Sequence, residues 1–149
     1  MEVLKVGILS CSGEACLGGT ISRLATRKVL EEMKMVETVT LCLPLYNAGG
    51  TEERNFAKVF PTISVDGCDK LCAKRSTEKY SGSVSGSIDV SRIIGNEHAL
   101  NTRIIRNKDL KEEHYQMVDK VAGEIVKAIS NLNPDSYSGK TFRGCGCGD

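Results

Sequence analysis

Seven cysteines supply the most reactive side chains in this 149-residue chain: Cys11, Cys16, Cys42, Cys68, Cys72, Cys145 and Cys147. Cys68 and Cys72 stand in VDGCDKLC, between a short apolar run and a charged, helix-like one. On a helix, residues four apart share a face, with Cβ atoms about 5–6 Å apart. Suitable rotamers would bring two such sulfurs onto one ion at about 2.3 Å each. The free N–H groups at a helix start favour thiolate over thiol, and thiolate is the form that binds metal or attacks a substrate. Gly67 is expected to take positive φ and turn the chain sharply out of a strand. An odd number of cysteines rules out a complete set of internal disulfides, and in a reducing compartment closely spaced thiols serve metal binding or redox work instead.

Each cysteine also has a plainer reading. Cys42 lies in an apolar run and by itself reads as a small core hydrophobe. Cys72 could pack against a sheet, and Cys16 could be an incidental member of the glycine-rich stretch CSGEACLGG. Cys145 and Cys147 could be exposed thiols on a loose end. The other residue types offer less. His98 and His114 are the only histidines, and both read as surface residues in polar surroundings. Asp66 reads as a turn acceptor for Gly67 and Cys68, or as a group that orients thiolates.

Composition removes several function classes. The net charge is +1, tryptophan is absent and aromatics make up 5%, so neither bulk charge nor stacking platforms draw nucleic acid. No apolar run approaches the roughly 20 residues of a membrane helix, and VLKVGIL reads as a strand rather than a secretory signal. A cytoplasmic protein is expected. The loop after the first strand lacks G-x-G-x-x-G and the GK[ST] ending of a phosphate loop. A cysteine phosphatase loop fails too, because Arg23 lies seven positions after Cys16 rather than six.

The elements that must position these thiols follow from hydrophobic period and breakers. Val3–Leu9 reads as a strand and Thr20–Met35 as a helix, with Ile21, Leu24, Ala25, Val29 and Met33 on one stripe. Val36–Leu45 reads as a second strand ended by Pro44, and Glu52–Phe60 as a short helix ended by Pro61. Thr62–Val65 is a third strand, Asp69–Tyr80 a helix, and Ser83–Ile94 holds a weaker fourth strand around Ile88–Val90. Residues 95–107 give no clear signal. Asp109 and Glu112 suggest the start of a last helix, along which Val118, Ala122, Ile125, Ile129 and Leu132 keep steps of three and four until Asn133-Pro134. Strand and helix in alternation predict a three-layer, Rossmann-like α/β domain over residues 1–133, a mostly parallel sheet of about four strands with helices on both faces. Residues 134–149 read as a flexible Gly/Ser-rich tail carrying the C-x-C of Cys145 and Cys147.

In a parallel sheet all strand C-termini share one edge, where ligand sites gather. That topology aims Cys11, Cys42, Cys68 and Cys72 at the same edge, which is the main physical argument for a site.

Together, CSG after the first strand, TISRLATRKVLEE, CLPL and VDGCDKLCAKRSTEKYSG resemble the DGC-domain family of zinc-binding proteins. The resemblance covers roughly the first 95 residues and extends more loosely into the last helix. It implies zinc held by Cys11, Cys42, Cys68 and Cys72, and so turns Cys42 from core into ligand; Cys16 lies beyond the family pattern and is the first substitute. Two functions are then expected. One is a zinc-binding accessory or metal-handling protein, with the metal as partner and a protein acceptor for it. The other is an iron–sulfur or thiol-dependent enzyme, desulfidase-like, in which three cysteines would leave one iron open to substrate.

Overall fold

The structure is a computed structural model that describes residues 5–11, 13–41 and 43–133, without the side chains of 43–45. The expected tail, with Cys145 and Cys147, and the site candidate Cys42 lie outside the described residues.

The chain runs through β1 (Val6–Ser10), α1 (Leu17–Lys28), a π-helical turn (Val29–Met33), β2 (Thr38–Val39), α2 (Leu43–Ala48), α3 (Thr51–Arg54) and α4 (Phe56–Val59). It continues through β3 (Thr62–Asp66), α5 (Cys72–Tyr80), β4 (Gly86–Asp89), α6 (Val90–Ile94), α7 (Asn96–Ala99), a 3-10 turn (Asn107–Asp109) and α8 (Glu112–Ser130). The four strands form one sheet in the order β2-β1-β3-β4, with every pairing parallel. From β1 the chain steps to one side for β2 and to the other for β3. The order therefore reverses between β1 and β3, and the crevice at their C-terminal ends is the switch point at which open α/β sheets hold ligands.

Strand alternation divides the sheet between two helical layers. Val6, Ile8, Ile63 and Val65 point to one face, where they join Leu17, Ile21, Ala25, Val118, Val121, Ala122, Ile125 and Ile129 of α1 and α8 in a buried core. Gly7 faces the other side, where a side chain on it would collide with the ring of Phe56 in α4. On that side Tyr46 of α2 is fully buried and donates its hydroxyl to Ser76 O of α5 at 2.9 Å, and Ala57 N donates to Ser81 Oγ at 2.9 Å. The fold is thus the three-layer parallel α/β arrangement expected.

Several boundaries differ from the sequence reading. α1 starts three residues earlier than Thr20, at Leu17. Its last turn widens into the π-helical segment, closed by Lys34 N donating to Val29 O at 2.8 Å, and the wider turn carries Met33 off the apolar stripe to 43% exposure. The second strand spans only Thr38–Val39, not Val36–Leu45. Pro44 does not terminate it but sits in the first turn of α2, where a missing N–H costs no hydrogen bond. The 52–60 helix is broken at Asn55 into α3 and α4. Asp109 pairs with Arg106 Nε at 2.7 Å instead of capping α8, which starts from Lys111. His114, read as a surface residue, is 3% exposed, and its Nδ1 accepts from Lys111 N at 2.8 Å. An imidazole folded back onto the helix start replaces the expected acidic cap. His98 is exposed, as anticipated.

Candidate functional site

Cys11 is the first residue past β1, and its N–H extends the parallel ladder to Val65 O at 2.9 Å. Its side chain is nearly buried at the switch point and accepts a hydrogen bond from Gly67 N, Sγ to N 3.2 Å. Ser22 Oγ of α1 lies 3.5 Å from the sulfur. Ser22 already donates its single proton to Gly19 O at 2.7 Å, so in this geometry a neutral Cys11 gives its S–H to Ser22. A Cys11 thiolate would invite the hydroxyl to turn and donate. Burial pushes the Cys11 pKa up, the hydrogen bonds from Ser22 and Gly67 pull it down, and the charges of Asp66 and Cys72 add smaller upward pushes.

Four glycines make this arrangement possible. A Cβ on Gly67 would lie 2.5 Å from Gly18 C and 2.8 Å from Gly19 Cα. One on Gly19 would lie 2.5 Å from Gly13 C and 2.6 Å from Gly13 Cα, and one on Gly18 would collide with Gly67 O. The loop after β1, the start of α1 and the turn after β3 thus meet backbone to backbone. The role expected for Gly67 is corrected here: it is not among the positive-φ residues, and what it supplies is the absence of a side chain. The first N–H of α1, that of Leu17, is taken by Asn101 O at 2.8 Å.

The second thiol pair is also arranged differently from the expectation. The helix begins at Cys72, not Asp69, so Cys68 and Cys72 do not share a helix face. Cys68 lies in a turn closed by Leu71 N donating to Cys68 O at 3.2 Å. Leu71 stands at φ 51° and ψ 47°, the left-handed region, and is the sole non-glycine residue at positive φ among those described. Cys68 is half-buried and Cys72 exposed. Asp66, 1% exposed, reaches past the turn: its carboxylate accepts from Ala73 N at 2.6 Å and from Lys74 N at 3.1 Å. Its partners are thus α5 amides rather than the expected Gly67 and Cys68. Burial raises the Asp66 pKa, and the two amides oppose that shift.

Cys16 is half-buried at the N-cap of α1 and makes no side-chain cap. The four cysteines among the described residues are all free. The exits of β1 and β3 bring Cys11 together with the turn bearing Cys68 and the helix bearing Cys72. Even so, among the described residues no three His, Cys, Asp or Glu side chains form a group ready to hold a metal. The Gly67 N–H on the Cys11 sulfur favours its thiolate against the opposing effect of burial, and a four-sulfur set built on Cys11, Cys68 and Cys72 requires an adjustment of the turn after β3. Among the described residues, no helix is long and apolar enough to cross a membrane. Sequence reasoning missed the glycine contacts and the Asp66 cap. The spacing Gly13, Gly18, Gly19 and Gly67 around the first and third strand ends was the available signal.

Comparison with curated proteins gave no match, and comparison with solved structures gave none. The family model described as DGC domain matches residues 7–121, from β1 into α8 and across every element of the site. The chain therefore belongs to the DGC domain family.

Proposed function

We propose that this protein binds zinc through cysteine thiolates at the C-terminal edge of its sheet and acts as an accessory or metal-handling protein. Cys11, Cys42, Cys68 and Cys72 are the preferred ligands, and Cys16 is the substitute. One observation carries the reading: the Cys11 sulfur accepts the Gly67 N–H at the β1/β3 switch point, one residue before Cys68. This bond links cysteines distant in sequence through a donor that favours the charged form of sulfur. Four thiolates would make a closed tetrahedral site, which suits holding or passing on an ion rather than activating a substrate. The tail thiols Cys145 and Cys147 would assist release to an acceptor.

The test is purification without oxygen, followed by elemental analysis and an absorption spectrum. Colourless protein with one zinc per chain, lost in Cys11→Ser and Cys68→Ser, supports the reading. A brown protein with a broad visible band and bound iron establishes the iron–sulfur alternative instead. Removal of Cys145 and Cys147 should slow zinc transfer to a chelating acceptor and leave the fold intact.

A further inference from the structure

The helix that carries Cys72 begins in an unusual way. Its N-cap residue, Leu71, offers no side-chain acceptor and is held in a left-handed conformation that costs an L-residue about 1–2 kcal/mol. Such strain persists where neighbouring contacts over-determine the backbone. Leu71 itself donates to Cys68 O at 3.2 Å and accepts from Arg75 N at 2.9 Å, and the turn that follows it is held by Asp66, the last residue of β3. Its two oxygens take the N–H groups of Ala73 and Lys74, the two residues that follow Cys72. Asp66 is itself fixed by β3, where it stands in register with Asp89 of β4 and beside the Val65 carbonyl that receives Cys11 N. A rigid strand end therefore grips the first turn of α5 on one side and meets the Cys11 backbone on the other.

We propose that Asp66 is the positioning residue for Cys72, so that the three residues Asp66-Gly67-Cys68 serve three different thiols. The Asp66 carboxylate sets Cys72 by anchoring α5, the Gly67 N–H sets the Cys11 sulfur, and Cys68 supplies its own. This inference rests on the zinc reading above. It gives a role to an acidic residue buried where burial disfavours its charge: the two amides and the helix start offset part of that cost, and the helix is thereby tied to the sheet.

The experiment uses the full chain and zinc alone, with Asp66→Asn as the main variant. Asparagine keeps the shape but turns an NH2 toward one of the two amides. Thr77→Ala is the control, since it removes the Thr77 Oγ1 bond to Ala73 O (2.7 Å) from the same helix without touching its anchor. Zinc affinity is read by competition with a chelating dye. Alkylation rates of Cys72 and Cys16 are read separately, by mass spectrometry on zinc-free protein. Asp66→Asn should weaken zinc by about ten- to a hundredfold, the usual effect of losing an outer partner. It should change the Cys72 rate severalfold and leave the Cys16 rate unchanged, while Thr77→Ala moves neither reading. Wild-type affinity together with a wild-type Cys72 rate in Asp66→Asn overturns the inference, as does an equal loss in Thr77→Ala. If the wild-type protein takes up no zinc, the functional reading fails, and the Cys72 rate alone still decides the role of Asp66. Should Asp66→Asn not fold, Asp66→Glu keeps the charge and displaces the carboxylate by one methylene. It is read by the same two measurements and the same criteria.

Discussion

Gly67→Ala is the most direct test of how the site is assembled. The added methyl would sit 2.5 Å from Gly18 C and 2.8 Å from Gly19 Cα, both backbone atoms at the start of α1. Carbon atoms rest about 3.5–4.0 Å apart, so the turn after β3 and the start of α1 must separate by about 1 Å. Overpacking costs about 1–3 kcal/mol, and the upper end applies because neither obstacle can rotate away as a side chain would. Losing the Gly67 N–H bond to Cys11 adds about 1 kcal/mol. A total of about 3–4 kcal/mol corresponds to a fall in melting temperature of about 6–16 °C for a chain of this size. The assay is thermal unfolding of reduced, zinc-free protein, so that no metal contribution enters. Gly123→Ala is the internal control: it lies within α8, a Cβ there meets nothing within 4 Å, and the variant should gain about 0.5–1 kcal/mol. A Gly67→Ala protein that melts within about 2 °C of wild type would refute the claim that backbone contact at this glycine holds the site together.

Further outcomes follow from the same geometry. On the proposed zinc reading, zinc at a hundredfold excess over its dissociation constant should stabilise the protein by about 2.7 kcal/mol, seen as a rise in melting temperature that a chelator reverses, and no rise would count against that reading. Tyr46→Phe removes the hydroxyl bond between α2 and α5 and should cost about 0.5–1.5 kcal/mol in denaturant unfolding, with the m-value unchanged. Burial holds the Cys11 thiol above its ordinary pKa of 9.0, so at neutral pH it carries less thiolate than an unperturbed thiol. In zinc-free protein the buried Cys11 should alkylate more slowly than the exposed Cys72, and the Cys11 rate should keep climbing as pH passes the ordinary thiol range. Labelling of Cys11 before Cys72 at neutral pH would contradict its place in the crevice.

The layers of the fold were legible because burial imposes a period. Ile21 and Ala25 in α1 with Val29 just after it, and Val118, Ala122, Ile125 and Ile129 in α8, carry the helical spacing that packing on a sheet requires. The third strand was legible over Thr62–Val65 from the β-branched Thr62, Ile63 and Val65, and it runs one residue further, to Asp66. The failures lie where local pattern and tertiary position diverge. Pro44 reads as a stop, yet a helix start tolerates it. His114 reads as polar surface, yet one ring nitrogen suffices to satisfy a helix N–H and lets the rest be buried. At the site, the topology correctly predicted that Cys11 and the turn after β3 would meet. The helical spacing of Cys68 and Cys72 did not survive, because the carboxylate of Asp66 defines where α5 starts, and a cap acting from seven residues away leaves no local signature.

β1 is an inner strand, bonded on both sides, although it is the first to be synthesised. The amide that donates to the Cys11 sulfur lies 56 residues further along the chain. At ribosomal speeds of about 5–20 residues per second, that amide emerges about 3–11 seconds after Cys11 does. During that interval the sulfur has no cover from β3. Nascent chains are thus open to oxidants, and to adventitious metals, at the very atom that the finished protein shelters. The cover over this sulfur is completed only once the turn after β3 has been made.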